Sequence, residues 1–388
     1  MRILLFTGKG GVGKTTAAAG TAALAARRGL NTLVLSTDAA HSLGDAFGEP
    51  IGADPTQVAD RLFVQQVDTQ RRFERSWAEM QTYLLAVLDA AGVDPITAEE
   101  LTVLPGAEEV FALLEVSAQV RSGRWDVVIV DCAPTAETLR LLALPEALGW
   151  YMDRVFPAER RLVKALRPVL TKAAGVPMPH DPVFDAVERL HHDLAGVQKL
   201  LTGPDACVRL VLTPEAVVIA EARRSLTTLS LYGYRVDGVL ANRIFPDDGY
   251  DQWRLQWVEA QAKVLAEVEQ SFPGVPIWRS AYQPAEPVGV DALVELARTA
   301  YGEHDPLAPA SANPPMVVTR TRSGATLRLA LPFVGRSEVD LARHGEELVV
   351  TVGSYRRLLA LPAALARHTV VGARIEDGAL WVQFKDGG

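Results

Sequence analysis

The chain has 388 residues, of which 48% are hydrophobic and 22% charged, enough for one large globular domain and a small one beside it. Its net charge of −8 carries no footprint for nucleic acid, and the basic cluster Arg160, Arg161, Lys164 and Arg167 reads as the wet face of a helix. Two cysteines, Cys132 and Cys207, exclude a disulfide framework and a CxxC zinc clasp, and no run of about 20 apolar residues free of charge and proline is present to span a membrane.

The N-terminus, "MRILLF", leaves no room for a signal-peptide apolar region, so a soluble, cytoplasmic, reduced protein is expected. Residues 2–6 form a short apolar strand running into "GKGGVGKTT". From Gly8 to Thr15 this fits G-x-x-x-x-G-K-[ST], the loop whose backbone cradles phosphates. Amides of Gly10, Gly11, Val12, Gly13, Lys14, Thr15 and Thr16 can point at phosphate oxygens, and the following helix adds a favourable dipole. Lys14 would hold the β- and γ-phosphates of ATP, and the Thr15 hydroxyl would ligate Mg²⁺. The pattern asks for one lysine, yet Lys9 supplies a second in a chain with seven lysines against thirty-two arginines. Two close ammonium groups need a counter-charge, and a triphosphate provides one.

"TTAAAGTAALAARRG" reads as an alanine-rich helix closed by Gly29. "TLVLSTD" (32–38) is a buried strand ending at Asp38, placed to orient or deprotonate an attacking water; an N-cap for the next segment is the plainer role. A helical insertion follows at about 70–122. "WDVVIVD" (125–131) is another strand, and its terminal Asp131 stands where a nucleotide fold puts the carboxylate that reaches Mg²⁺ through water. A second helical insertion runs from about 146 to 200. Within it, Trp150, Tyr151, Met152 and Phe156 either line a client groove or pack a core. Strands at 208–214, 237–245 and 275–278 complete the alternation. Unbroken apolar strands between helices predict an α/β fold whose mostly parallel sheet is covered on both faces. Residues 302–315 read as a linker that ends the ATPase domain at 301. Beyond it the period becomes two: "TLRLALPFV" puts Leu327, Leu329 and Leu331 on one side, "EELVVTVG" is strand-like, and "ARIEDGALWVQF" is a hairpin turning at Asp377-Gly378. Residues 316–388 are therefore expected to form a small all-β sandwich.

"GKGGVGKTT", "STDAAHSLGDAF" and "DVVIVDCAPTAETLRLLALP" together resemble the arsenite-pump ATPases and their relatives that deliver tail-anchored membrane proteins, phosphate-loop NTPases with a deviant loop. The similarity continues through "LPGAEEVFALLEV", "TPEAVVIAEARRSLTTL" and "VLANRIFP" and covers roughly residues 1–300. The tail resembles the α-crystallin-like sandwich of small heat-shock proteins, where it would bind clients or pack on the ATPase core. The resemblance implies a homodimer in which Lys14 acts in its own subunit and Lys9 reaches the nucleotide of the partner. It further implies that Asp38 positions the water, that Asp38 and His41 belong to a first switch and Pro134 and Thr135 to a second, that Asn242 binds the adenine edge, and that Pro276 and the 281–289 loop close over the base. The sequence departs from the family at Ala39, where proline is usual, and at Ala136-Glu137, where Gly-His is usual. The expected function is Mg²⁺-dependent ATP hydrolysis that gates a hydrophobic groove for a polypeptide client, as in a chaperone or targeting factor. The alternatives are the ATPase subunit of an arsenite or antimonite efflux pump, with a membrane-protein partner, and a nucleotide-gated binding module with negligible turnover. With two thiols, a soft As(III) site within one chain is not expected.

Overall fold

A computed structural model describes residues 1–38, 42–67, 107–133, 135, 181–248, 251–309, 314–321, 324–361, 365 and 367–385. They fall into two compact units. The first holds residues 1–66, 119–139 and 200–388, and the second holds 67–118 and 140–199.

The first unit is built on an eight-stranded sheet. Its strands are β1 (Arg2–Thr7), β2 (Thr32–Ser36), β3 (Thr56–Ala59), β4 (Leu62–Gln66), β5 (Val127–Asp131), β6 (Ala206–Leu212), β7 (Val236–Ile244) and β8 (Ile277–Ala281), in the order β3-β4-β2-β5-β1-β6-β7-β8. All neighbours are parallel except β3, which pairs antiparallel with β4. The expected α/β fold is present. β1, β2, β5 and β6 are buried along nearly their whole length because helices cover both faces, so no polar face needs to alternate. The chain places β5 and β2 on one side of β1 and β6 on the other, so the strand ends around β1 form the crevice where such sheets bind ligands.

Helix α1 (Lys14–Arg27) leaves the end of β1, and its alanines are almost wholly buried. Small side chains let it lie close to its neighbours. At Gly20 an added Cβ would come within 2.9 Å of the carbonyl of Leu293, on a later helix. The other helices of this unit are α2 (Ser42–Phe47), α5 (Ala216–Leu231), α6 (Gln252–Ser271) and α7 (Val290–Tyr301); α3 (Ala107–Arg121) and α4 (Asp181–Leu201) belong mainly to the second. Both of these lie in stretches read as helical insertions, and the remainder of those stretches is outside the described residues.

A fully buried arginine ties the far end of the sheet. Arg209 of β6 donates to both carboxylate oxygens of Asp237 at 3.2 Å, to the Tyr301 hydroxyl at 3.1 Å and to the Pro306 carbonyl. Residue 306, in the stretch read as a linker, is thus fastened to the core.

The C-terminal part is a sandwich of two antiparallel sheets. One has the order β14 (Thr369–Glu376), β15 (Ala379–Lys385), β10 (Gly324–Ala330), β9 (Met316–Thr321); the other is β11 (Val339–His344), β12 (Glu347–Val352), β13 (Tyr355–Ala360). Leu327, Leu329 and Leu331 share its core with Leu348, Val350 and Val382, as the period of two predicts. The β14–β15 hairpin turns at Asp377 and Gly378, both at positive φ. Its docking is specific: Arg357 donates to the Leu231 carbonyl at the C-terminus of α5, the Thr227 hydroxyl donates to the Pro332 carbonyl at 2.6 Å, and Phe333 meets Phe272 edge-on. A buried cation at a helix C-terminus complements the dipole there.

Candidate functional site

The site lies at the C-terminal ends of β1, β2 and β5. Gly11 and Gly13 take positive φ of 79° and 91° so that the loop can turn into α1. Gly13 caps that helix and has no side chain to accept from its first turn, which leaves the amides there to a ligand. Gly8 must be glycine for space, because a Cβ there would lie 2.1 Å from the Val211 carbonyl.

Lys14 is 6% exposed, and its ammonium group donates to the Lys9 carbonyl at 3.3 Å, curling back over the loop. Lys9 itself is half-buried. The Thr15 and Ser42 hydroxyls share a hydrogen bond of 3.1 Å, joining the start of α1 to α2. Asp131 ends β5 at 0% exposure, and among the described residues neither carboxylate oxygen has a hydrogen-bond partner. Burial pushes its pKa up to about 7; the Thr15 hydroxyl and Lys14 ammonium nearby pull it back down, and Asp38 pushes it further up. A buried, orphaned carboxylate beside a threonine hydroxyl is oxygen chemistry suited to a hard divalent cation such as Mg²⁺. Thr15 and Asp131 therefore fit the metal that the phosphate loop implies.

The segments that follow β2 and β5 meet through Thr37. Its amide donates to the Asp131 carbonyl at 2.9 Å and its hydroxyl to the same oxygen at 3.4 Å, while that hydroxyl accepts from the Ala133 amide at 3.4 Å. Asp38 stands next in the chain. Its amide donates to the Ser36 hydroxyl at 3.2 Å, and its carbonyl accepts from the Gln66 side chain at 2.8 Å. Thr135 is 3% exposed, with a hydroxyl that has no partner among the described residues. His41, Pro134, Trp150, Tyr151, Met152 and Phe156 lie outside the described residues.

A cleft of about 310 Å³ opens beside the loop, lined by Gly13, Thr16, Asn242, Arg243, Leu296 and residues 281–287. The Asn242 amide donates to the Val12 carbonyl at 2.9 Å, which fixes its side chain against the phosphate loop. Pro276 is not there. It precedes β8, at the opposite end of that parallel strand, and its carbonyl accepts from Val239. The loop after β8, with Pro284 and Pro287, lines the cleft instead. Next to it, Tyr282 stacks flat on Phe245 at 5.2 Å, and Phe245 also touches Trp253 and Trp257, which are 61% and 43% exposed. Sequence reasoning missed this aromatic cluster, and it missed Thr37 and Gln66. The doubled glutamine closing the apolar run "LFVQQ" is the signal that points to Gln66.

Both thiols are free and buried. Cys132 follows β5, and burial with Asp131 beside it pushes its pKa well up; Cys207 lies on β6 opposite Leu4, raised by burial and by Asp237. They sit two strands apart and point to no shared ligand. Among the described residues, no group of three or more His, Cys, Asp or Glu could hold a metal ion, and no helix is long and apolar enough to cross a membrane.

Comparison with known proteins supplies the wider context. Residues 1–302 match the family model described as an anion-transporting ATPase, and residues 322–384 match one described as an HSP20-like domain found in ArsA. A protein of Chlorobaculum tepidum named "Putative arsenical pump-driving ATPase" is 36% identical over 99% of this chain and 96% of its own length. A protein of the same name from Prosthecochloris vibrioformis is 37% identical over the same shares. The "ATPase ASNA1 homolog" of Trypanosoma cruzi is 28% identical over 75% of this chain and 88% of its own.

Proposed function

Because this chain belongs to the anion-transporting ATPase family, we propose that two copies of it together hydrolyse ATP with Mg²⁺ and use the cycle to open and close a groove for a hydrophobic polypeptide client. The observation that carries the reading is Asp131: a carboxylate buried beside Thr15 and Lys14, with no hydrogen-bond partner among the described residues, is costly unless a cation joins it.

In the proposed site the amides of residues 10–16 and the start of α1 hold the phosphates, and Lys14 leaves the Lys9 carbonyl for the β- and γ-phosphates. Thr15 and Asp131 hold Mg²⁺, which offsets charge on the phosphate oxygens when bound. Asp38 orients the attacking water. Lys9 serves the nucleotide of the partner subunit, so its positive charge arrives only when two copies close, and dimer geometry controls turnover. The adenine base lies in the cleft beside Asn242 and the 281–287 loop. Single-turnover hydrolysis tests this: the wild type turns over with Mg²⁺ and stops with EDTA, whereas Asp38→Asn binds ATP and stalls. Equal rates for the two proteins would remove Asp38 from its role and favour a nucleotide-gated module.

A second reading, the motor of a metalloid efflux pump, draws support from the names of the relatives. Two buried thiols, one just after β5 and one on β6, speak against a soft-metal site within one chain. Strong stimulation of the ATPase by As(III) or Sb(III) would reverse the ranking.

A further inference from the structure

We infer that Gln66 is a positioning residue for hydrolysis: from the end of β4 its side-chain amide holds the Asp38 carbonyl and so sets where the Asp38 carboxylate stands. This rests on the proposed role of Asp38 as the group that orients water. Gln66 is 5% exposed, and a buried primary amide is costly unless it is hydrogen-bonded. The neighbouring Gln65 donates to the Ala53 carbonyl at 2.7 Å, which holds a loop. Gln66 donates to the carbonyl of Asp38 at 2.8 Å, and its own backbone amide donates to Gly52 at 3.0 Å. One residue thus grips both ends of the 38–52 segment, which contains α2 and the Ser42 hydroxyl that meets Thr15.

The geometry explains why this bond matters. Peptide groups are planar, so the amide of Asp38 belongs to the plane before its Cα and the carbonyl to the plane after it. Ser36 holds the first plane and Gln66 the second. Fixing both planes fixes φ and ψ, and therefore the direction in which the Asp38 side chain leaves the backbone. β2 and β5 separate β4 from β1 and its phosphate loop, so losing the amide should disturb the alignment of the water and leave nucleotide binding intact.

The test is kinetic. Gln66→Met keeps the length of the side chain and removes the donor. It should lower kcat about ten-fold, the effect of one buried hydrogen bond, with ATP affinity within about two-fold of wild type. In an Asp38→Asn background the same substitution should cost nothing further, because the group it positions has already been removed. Gln66→Glu adds a readout that packing loss would not give. Its ionised carboxylate cannot donate to the Asp38 carbonyl but its acid form can, so its kcat relative to wild type should recover as pH falls. If Gln66→Met does not fold, Gln66→Glu decides alone, and a flat ratio across pH overturns the inference. Wild-type kcat in Gln66→Met, or a loss that adds in full to that of Asp38→Asn, also overturns it. Wild-type turnover by Asp38→Asn itself would instead overturn the reading of Asp38 on which the inference stands.

Discussion

Replacing Asp131 with asparagine should stabilise the nucleotide-free protein while abolishing hydrolysis. The folded carboxyl keeps its proton up to about 7, whereas the ordinary value is 3.8. Between those values the folded state binds more protons than the unfolded one, so this group removes stability as pH rises through that window. At pH 8 the cost of ionising it in the fold is about 4 kcal/mol. An asparagine amide in the same place would itself lack partners, so the realised gain should be about 2 kcal/mol. The assay is thermal unfolding in EDTA at pH 5 and pH 8. The two proteins should melt close together at pH 5, and at pH 8 Asp131→Asn should melt a few degrees higher, given about 2–4 °C per kcal/mol for large domains. Adding ATP and Mg²⁺ should reverse the order: the wild type gains about 2.7 kcal/mol at a ligand concentration of 100 Kd, and the variant gains little from the metal. Parallel pH profiles for the two proteins would refute the claim that a buried, unpartnered carboxylate waits for a cation here.

Two further substitutions test neighbouring parts of the account. Gly13→Ala would place a Cβ 2.3 Å from the Asn242 amide nitrogen at a φ of 91°, so it should weaken nucleotide binding by at least about ten-fold in a fluorescent-nucleotide titration, with the fold retained. Asp237→Ala leaves the Arg209 cation buried with its main partner gone. It should cost about 3–5 kcal/mol in chemical denaturation, and Arg209→Met combined with Asp237→Leu should cost less, because an unpaired buried charge is worse than none.

Much of the fold and the phosphate loop could be read along the chain because their physics is local. Glycine spacing, a lysine at a fixed offset and apolar runs ending in Asp38 and Asp131 all lie within a few residues of what they position. What escaped depends on partners distant in sequence. β3 and β4 are only four and five residues long, and Gln57 and the paired Gln65 and Gln66 blurred their strand pattern. Gln66 gains meaning only through Asp38, 28 positions earlier, just as Arg209 does through Asp237, 28 later. β9 is exposed along most of its length, so no alternation announced it. The resemblance implies Pro276 for the base pocket, but the direction of β8 puts it at the opposite end of the strand and brings Pro284 and Pro287 to the cleft. The docking of the sandwich through Arg357 joins residues 126 positions apart and leaves no trace in either stretch alone.

The claim that Lys9 acts across a twofold interface is tested most directly by mixing two inactive proteins, Lys9→Ala and Asp38→Asn, and measuring steady-state ATPase. In a mixed dimer, the nucleotide held by the Lys9→Ala subunit has its own Asp38 and receives Lys9 from the partner, so that site is whole. Random reassortment of equal amounts should restore about a quarter of wild-type turnover. A mixture as inactive as its components, with mixed dimers demonstrated by differential tagging, would contradict the account.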